Sequence, residues 1–147
     1  MLMTRQRSRL RQPDNQAPMK DQPGSLLWPP TLRMLPMILV MGIIFFLSQQ
    51  PGDSLDLPDL PDLDKVLHAL VYGVLAATTL FAISPEKRRA APGRASLFVI
   101  LFCVLYGISD ELHQSFVPGR MPDILDLVAD TSGATLMVCL WRLFRAR

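Results

Sequence analysis

Four long apolar segments, separated by short polar connections, run along most of this chain. They are residues 32–48, 66–83, 95–112 and 124–144. Each approaches the roughly 20 residues that a helix needs to cross the hydrocarbon core of a bilayer. A helix satisfies its own backbone hydrogen bonds in lipid, so it is the form expected for isolated spanning segments. The pattern therefore predicts an all-α, polytopic membrane protein with four transmembrane helices.

The first 31 residues have a different composition. They are polar, basic and rich in proline, which leaves them no means of burying a core. We expect a disordered basic tail over residues 1–31 and a four-helix membrane domain over residues 32–147. No small-residue cleavage site follows the first apolar segment, so a signal peptide is not predicted.

Lysine and arginine are distributed unevenly between the two sides that four spans create. Six lie within the first 33 residues, four in the second connection and three at the C-terminal end, leaving only Lys65 and Arg120 for the other side. Because such residues favour the cytoplasmic side, both termini are predicted to be cytoplasmic. No basic stripe interleaved with aromatic residues appears, so nucleic acid is not an expected partner. Cys103 and Cys139 lie in apolar segments, where we expect small buried hydrophobes.

Ionisable residues interrupt the apolar pattern at four places, which the predicted topology brings together at the outer face. Such side chains cost about 2.5–3.5 kcal/mol each in hydrocarbon, so they usually face a bundle interior or a water-filled cavity. The polar residues at these places are Asp64, Lys65, His68, Tyr72, Asp110, Glu111, His113, Gln114, Arg120, Asp123, Asp126 and Asp130. They predict one polar site at that face.

Helical spacing suggests how some of these residues are arranged. Asp64, His68 and Tyr72 are four residues apart and share a helix face. This fits a carboxylate that orients an imidazole, or an acid that only caps the helix start. Glu111 ends the third helix as a candidate acid or base. Arg120 is the expected partner of the acids there, because guanidinium pairs strongly with carboxylate.

The fourth helix begins with a stripe of acids. Asp123 and Asp126 suit either the site or the cap and first turn of the helix. Asp130 lies about two turns in, roughly 10 Å along the axis, so it needs a partner or a proton. Gly133 would let another helix approach closely, and Gly119 occupies the third position of a predicted tight turn.

Taken together, three groups of residues resemble a known family. They are Asp64, Lys65, His68 and Tyr72; then Glu111, Gln114, Pro118, Gly119 and Arg120; then Asp123, Asp126, Gly133 and Ala134. This pattern, over residues 64–135, resembles the VanZ-like family of small bacterial membrane proteins, with a departure at Asp130, where that family usually has Asn. The family is named for a protein linked to low-level teicoplanin resistance. The resemblance implies a bacterial plasma-membrane location and a role in the cell envelope.

The leading hypothesis for function is a site that binds or modifies an amphiphilic or anionic envelope molecule. Its candidate residues are Glu111, Asp126 and His68 for acid–base chemistry, Arg120, Lys65, Gln114, Tyr72 and Asp123 for binding, and Asp64, Asp130, Gly119 and Gly133 for structure. One alternative is an ion-pair network that only locks the helices of a scaffold subunit. Another is a small proton-coupled transporter, for which four helices are few, although a dimer could serve. No cofactor is predicted. A zinc or manganese site is a weakly supported alternative: His68, Glu111, His113 and Asp126 are of the right ligand type, but they lack any local ligand spacing.

Overall fold

The computed structural model describes residues 29–51 and 62–145, and these form helices joined by short connections. The helices are α1 (Pro30–Ser48), α2 (Leu63–Ala82), α3 (Pro85–Ala90), α4 (Pro92–Gln114) and α5 (Ile124–Arg145). All except α3 are long and apolar enough to cross a membrane. The predicted all-α fold with four spanning helices is therefore confirmed. The predicted tail lies almost entirely outside the described residues, and the side on which the termini lie stays a prediction.

The short helix α3 in the second connection was not expected from the apolar pattern. Pro85 occupies its first position, and the Ser84 hydroxyl accepts a hydrogen bond from the backbone N–H of Lys87 at 3.4 Å. Both features favour a helix start. Its last turn is basic, which suits the negative end of the helix dipole.

Helix α2 lies at the centre of the bundle and contacts α1, α4 and α5. Its closest neighbour is α5, because both helices present small residues where they meet. A Cβ atom added to Gly133 would overlap the backbone carbonyl of Ala69, and one added to Gly73 would lie 3.5 Å from the Gly133 carbonyl oxygen. Small residues at such a contact let the two backbones pack directly.

The buried core follows the inner face of α2. It contains Ile44, Tyr72, Leu75, Ala76, Leu80, Val99, Cys103, Ala134 and Val138. Many large apolar side chains on the outer faces are exposed instead, as expected where lipid surrounds the helices. Cys103 is buried as predicted. Cys139 is exposed, so the expectation of burial was wrong for this residue, which occupies an outward position of α5.

The up-and-down arrangement brings the ends of α1 and α4 together with the starts of α2 and α5. Gln114 at the end of α4 donates to Ser48 at the end of α1, and Lys65 near the start of α2 bonds Asp126 near the start of α5. This end of the bundle carries the polar residues that the sequence singled out. Helix α3 lies at the opposite end, where Arg145 of α5 contacts it.

Candidate functional site

Lys65 is surrounded by carboxylates at the starts of α2 and α5. Its Nζ donates to Asp123 and Asp126, each at 2.6 Å, and lies 3.1 Å from Asp64. The ammonium, through its hydrogen bond, holds the pKa of the Asp123 carboxyl below its usual range. An ammonium has three N–H donors, and these three carboxylates can occupy all of them. Lys65 therefore neutralises acids of the protein, and the geometry leaves it poorly suited to bind an anionic ligand.

One turn further along α2, His68 pairs with Asp130. Its Nδ1 lies 3.0 Å from Asp130 Oδ1, and its Nε2 lies 3.9 Å from Asp126 Oδ2. The carboxylate beside the imidazole is therefore Asp130. Asp64 shares a helix with His68, but it turns outward to Lys65 and its side chain is 56% exposed. The hypothesis that Asp64 orients His68 was wrong, because the packing of α5 on α2 brings a buried acid closer.

Two buried polar atoms beside this pair have no hydrogen-bond partner in the described part of the chain. They are Asp130 Oδ2 and the Tyr72 hydroxyl, and both residues are only 1% exposed. A Cβ added to Gly107 of α4 would lie 3.1 Å from Asp130 Oδ2, so α4 closes over them. An unsatisfied buried polar group costs about 1–3 kcal/mol, and such groups call for a specific explanation.

Glu111 connects the end of α4 to the start of α5. Its Oε2 accepts a hydrogen bond from the backbone N–H of Asp123 at 2.9 Å. Asp123 in turn caps α5, because its Oδ1 accepts from the N–H of Leu125 at 2.9 Å. The other Glu111 oxygen is buried without a partner among the described residues. Glu111 thus fixes the position of α5.

Asp110 and Gln114 form a second buried polar pair at the end of α4. Gln114 Nε2 donates to Asp110 Oδ2 at 3.1 Å and to Ser48 Oγ at 3.4 Å. Both residues of the pair are more than 90% buried. His113 points elsewhere and stacks on Phe45, with 4.7 Å between ring centroids. Gln114 therefore links α4 to α1.

Arg120 contacts backbone rather than acids. Its Nε donates to the carbonyl of Gln50 at 3.1 Å, and its Nη2 donates to that of Leu47 at 3.3 Å. No carboxylate in residues 29–51 or 62–145 lies within ion-pair distance of it. The expected pairing of Arg120 with the acids was therefore wrong. The turn at Gly119, with φ 74°, directs Arg120 to the end of α1, where terminal carbonyls lack helical partners.

A cavity of about 150 Å³ lies between α1, α2 and α4 at this end. Its polar lining is Ser48, Asp64, His68, Tyr72, Asp110, Gln114 and Arg120, and its apolar lining is Ile44, Leu47, Leu67 and Val71. Leu47 and Leu67 are 40% and 38% exposed, so the apolar wall adjoins the outer surface of the bundle. The cavity therefore offers polar groups on one side and borders the lipid-facing surface on the other.

The predicted site residues divide into two sets. His68, Tyr72, Gln114, Arg120 and Asp64 line the cavity. The remaining charged candidates, Lys65, Glu111, Asp123, Asp126 and Asp130, form the contacts behind it that join α2, α4 and α5. Sequence reasoning missed the contribution of α1, whose polar side chain at this end of the bundle is Ser48, the last residue of an apolar segment. Within the described residues, no group of three or more His, Cys, Asp or Glu side chains could hold a metal ion.

Comparison with known proteins identifies the family to which the chain belongs. The model of the VanZ/LLP1 family matches residues 34–145. The chain belongs to the VanZ/LLP1 family. The matched range includes all of α2, α4 and α5, α1 from Met34 onward, and every residue of the cavity. The resemblance seen in the sequence is therefore confirmed.

This VanZ/LLP1 chain is also similar to an uncharacterised protein of the fission yeast Schizosaccharomyces pombe. The two are 28% identical over 110 residues, which cover 75% of this chain and 65% of the yeast protein. The similarity thus extends over slightly less than two thirds of that relative. No solved structure matches the chain.

Proposed function

We propose that this protein binds the polar head of an amphiphilic envelope molecule in the cavity, and that His68 exchanges a proton with the bound head. The observation that carries this proposal is the two-sided lining of the cavity. Polar groups converge from three helices, while Leu47 and Leu67 border the surface that faces lipid. An amphiphile could place its head among the polar groups and leave its chains in the bilayer.

His68 is the acid–base group in this proposal. It lines the cavity, and Asp130 holds its Nδ1 at 3.0 Å. A carboxylate on one ring nitrogen fixes the tautomer and stabilises the imidazolium that forms when the other nitrogen takes a proton. Glu111 and Asp126 were the other candidates. They hold the α5 start and Lys65 respectively, so we assign them positioning roles.

Arg120 supplies the contact for an anionic head. Its guanidinium has five N–H donors, and its hydrogen bonds to the carbonyls of Gln50 and Leu47 use two of them. The remaining donors belong to a side chain that lines the cavity. Guanidinium binds phosphate and carboxylate strongly because it can present two parallel donors.

The setting of this activity follows from the family and from the charge pattern. The family takes its name from a protein linked to teicoplanin resistance, so we propose a role in the cell envelope and in susceptibility to teicoplanin-type glycopeptides. The predicted cytoplasmic location of the basic end would place the cavity at the outer face of a bacterial plasma membrane. Amphiphilic envelope molecules are accessible at that face.

The two histidines of the chain allow a controlled test. A strain lacking the protein would be complemented with the wild type, His68→Gln or His113→Gln, and teicoplanin susceptibility would be measured together with membrane abundance. His113 lies outside the cavity and serves as the control. We expect His68→Gln to behave like the deletion at normal abundance, while His113→Gln behaves like the wild type. A fully active and abundant His68→Gln protein would refute the proposal.

The structural alternative has one observation in its favour, the three carboxylates around Lys65. If the network only locks helices, a change that removes no hydrogen bond or ion pair between them should have no effect. Tyr72→Phe is such a change, because the Tyr72 hydroxyl has no partner among the described residues but the side chain lines the cavity. Loss of function in an abundant Tyr72→Phe protein would favour the binding site. Full function in both Tyr72→Phe and His68→Gln would favour the lock.

A further inference from the structure

The end of the bundle opposite the cavity carries a concentration of positive charge that the proposed function does not use. In residues 29–51 and 62–145, this end contains seven of the nine lysines and arginines and a single acid, Glu86. The seven are Arg33, Lys87, Arg88, Arg89, Arg94, Arg142 and Arg145. Among the described residues of this end, one acid therefore stands against seven basic side chains.

Helix α3, which carries part of this charge, is held in a defined position. Ser84 caps its start. At its end, Arg145 of α5 donates to the backbone carbonyls of Arg88 and Arg89 at 3.1 and 3.0 Å. The Arg145 guanidinium also lies 5.7 Å from the centroid of the Trp141 ring. These contacts satisfy terminal carbonyls of α3 and fix the helix against the end of α5.

Three guanidinium groups, those of Arg33, Arg88 and Arg89, repel one another between α3 and the start of α1. Arg33 is 8% exposed, and Arg88 Nε is buried with no hydrogen-bond partner in the described ranges. Burial, followed by the positive charges of Arg33 and Arg89, lowers the pKa of the Arg88 guanidinium. Glu86 interacts with Arg33 and Arg89 and offsets part of the repulsion. An additional anion at this point would relieve the remainder.

We propose that Arg88 and Arg89, with Arg33 beside them, bind the phosphate of an anionic phospholipid. Guanidinium groups match phosphate oxygens with paired donors. Basic pockets at the ends of transmembrane helices are suited to acidic lipid head groups. The first turn and a half of α1 also exposes Leu32 and Leu35, which gives acyl chains an apolar surface next to the cluster.

The membrane position of the cluster favours a lipid over a free anion. Arg33 belongs to a spanning helix, and α3 directly follows the end of another. The cluster therefore lies near the depth of lipid phosphates, where anionic head groups are concentrated. This site is separate from the cavity at the other end, so it stands or fails independently of the proposed function.

The test measures lipid binding by the full-length protein in neutral detergent micelles. Thermal unfolding would be followed against increasing phosphatidylglycerol, with phosphatidylcholine and inorganic phosphate as separate arms. The variants are the Arg88→Gln/Arg89→Gln pair and a control pair, Arg94→Gln/Arg142→Gln. The control removes the same charge from the same end but leaves the cluster intact. At about 1 kcal/mol per basic residue, the first pair should bind phosphatidylglycerol roughly 30-fold more weakly.

We expect phosphatidylglycerol alone to raise the unfolding temperature of the wild type and of the control pair. An equal loss of phosphatidylglycerol binding in both pairs would indicate a diffuse charge effect and would overturn the proposal. A matching shift with inorganic phosphate would identify a free-anion site and would overturn the lipid assignment. If the first pair does not fold, Arg89→Gln alone provides the test, because that side chain is exposed. It should weaken binding about fivefold, and unchanged binding would contradict the proposal.

Discussion

His68 Nδ1 lies 3.0 Å from Asp130 Oδ1, and this contact joins α2 to α5 inside the bundle. Asp130 is 1% exposed and its second oxygen has no partner among the described residues. The imidazole, in contrast, reaches the cavity. One pair thus connects two helices and also presents an ionisable group to a bound ligand. Substitutions at Asp130 can separate these two roles.

Asp130→Asn introduces the residue that VanZ-like proteins usually have at this position, so it should retain the fold. Because proton exchange at His68 is proposed to need the Asp130 charge in this chain, the variant should nevertheless lose the activity. Asparagine keeps the size of the side chain and an acceptor oxygen for His68, but it removes the charge that stabilises an imidazolium. We expect a free energy of unfolding within about 1 kcal/mol of the wild type, measured by denaturant titration in detergent micelles, and a susceptibility phenotype like that of the deletion. Asp130→Ala, the comparison, leaves His68 without its partner and should cost about 1–3 kcal/mol. Normal activity of Asp130→Asn would contradict the acid–base role of the pair.

Lys65→Met should be the most destabilising single change of charge at the site end. It leaves the partly buried acids Asp123 and Asp126 without their shared cation. Removing one partner of a buried ion pair costs about 3–5 kcal/mol, and the 22% exposure of the Lys65 side chain reduces this to about 2–3 kcal/mol. Denaturant titration provides the measurement. The matched control is Asp64→Asn, whose exposed carboxylate should contribute less than about 1 kcal/mol. Similar values for both variants would argue against the cluster as a stabilising contact.

Arg120→Gln should destabilise the protein by only about 1–2 kcal/mol. Its hydrogen bonds run to carbonyls of Gln50 and Leu47, and bonds to charged groups contribute about 1.5–3 kcal/mol before solvent exposure is considered. No described carboxylate loses a partner. Denaturant titration beside Lys65→Met makes the comparison direct. A loss as large as that of Lys65→Met would indicate that the guanidinium compensates the acids after all.

The spanning helices could be predicted because an apolar segment of about 20 residues has few alternatives in a membrane. The boundaries moved where polar residues continue a helix. Helix α2 begins at Leu63, before the apolar segment that starts at residue 66, and α4 extends to Gln114, past the segment that ends at 112. Both extensions agree with the assignment of Asp64, Lys65 and Gln114 to these helices. Of the added polar side chains, Lys65 and Gln114 find partners inside the bundle. A hydropathy profile scores each residue alone and therefore does not detect such partners.

The pairing of side chains could not be predicted, because it depends on how the helices are rotated against one another. Helical spacing favoured Asp64 as the carboxylate partner of His68. The direct packing of α5 on α2 instead places Asp130 beside the imidazole. The hydrogen bonds of Arg120 are to backbone carbonyls. Every residue has such a carbonyl, so the pattern of side chains along the sequence cannot predict these bonds. Helix α3 did have a local signal, the Ser84–Pro85 start, but a search for apolar segments does not detect so short a polar helix.

Gly133→Ala should disturb the site from a distance. The new methyl group would overlap the backbone carbonyl of Ala69. Because backbone atoms cannot rotate aside as a side chain can, the overlap is relieved only if α5 moves away from α2. Overpacking typically costs about 1–3 kcal/mol. The displacement would also separate His68 from Asp130, since that pair joins the same two helices. We therefore expect lower stability in denaturant titration together with loss of function.

Gly42→Ala provides the control for this prediction, because a Cβ added there meets nothing within 4 Å. Its stability should equal or slightly exceed that of the wild type, since alanine is the better helix former. Equal stability of the two alanine variants would show that α2 and α5 tolerate a wider separation. Should Gly133→Ala then also remain active, the His68–Asp130 contact would not depend on close helix packing. A loss confined to Gly133→Ala would instead tie the site to the direct contact between α2 and α5.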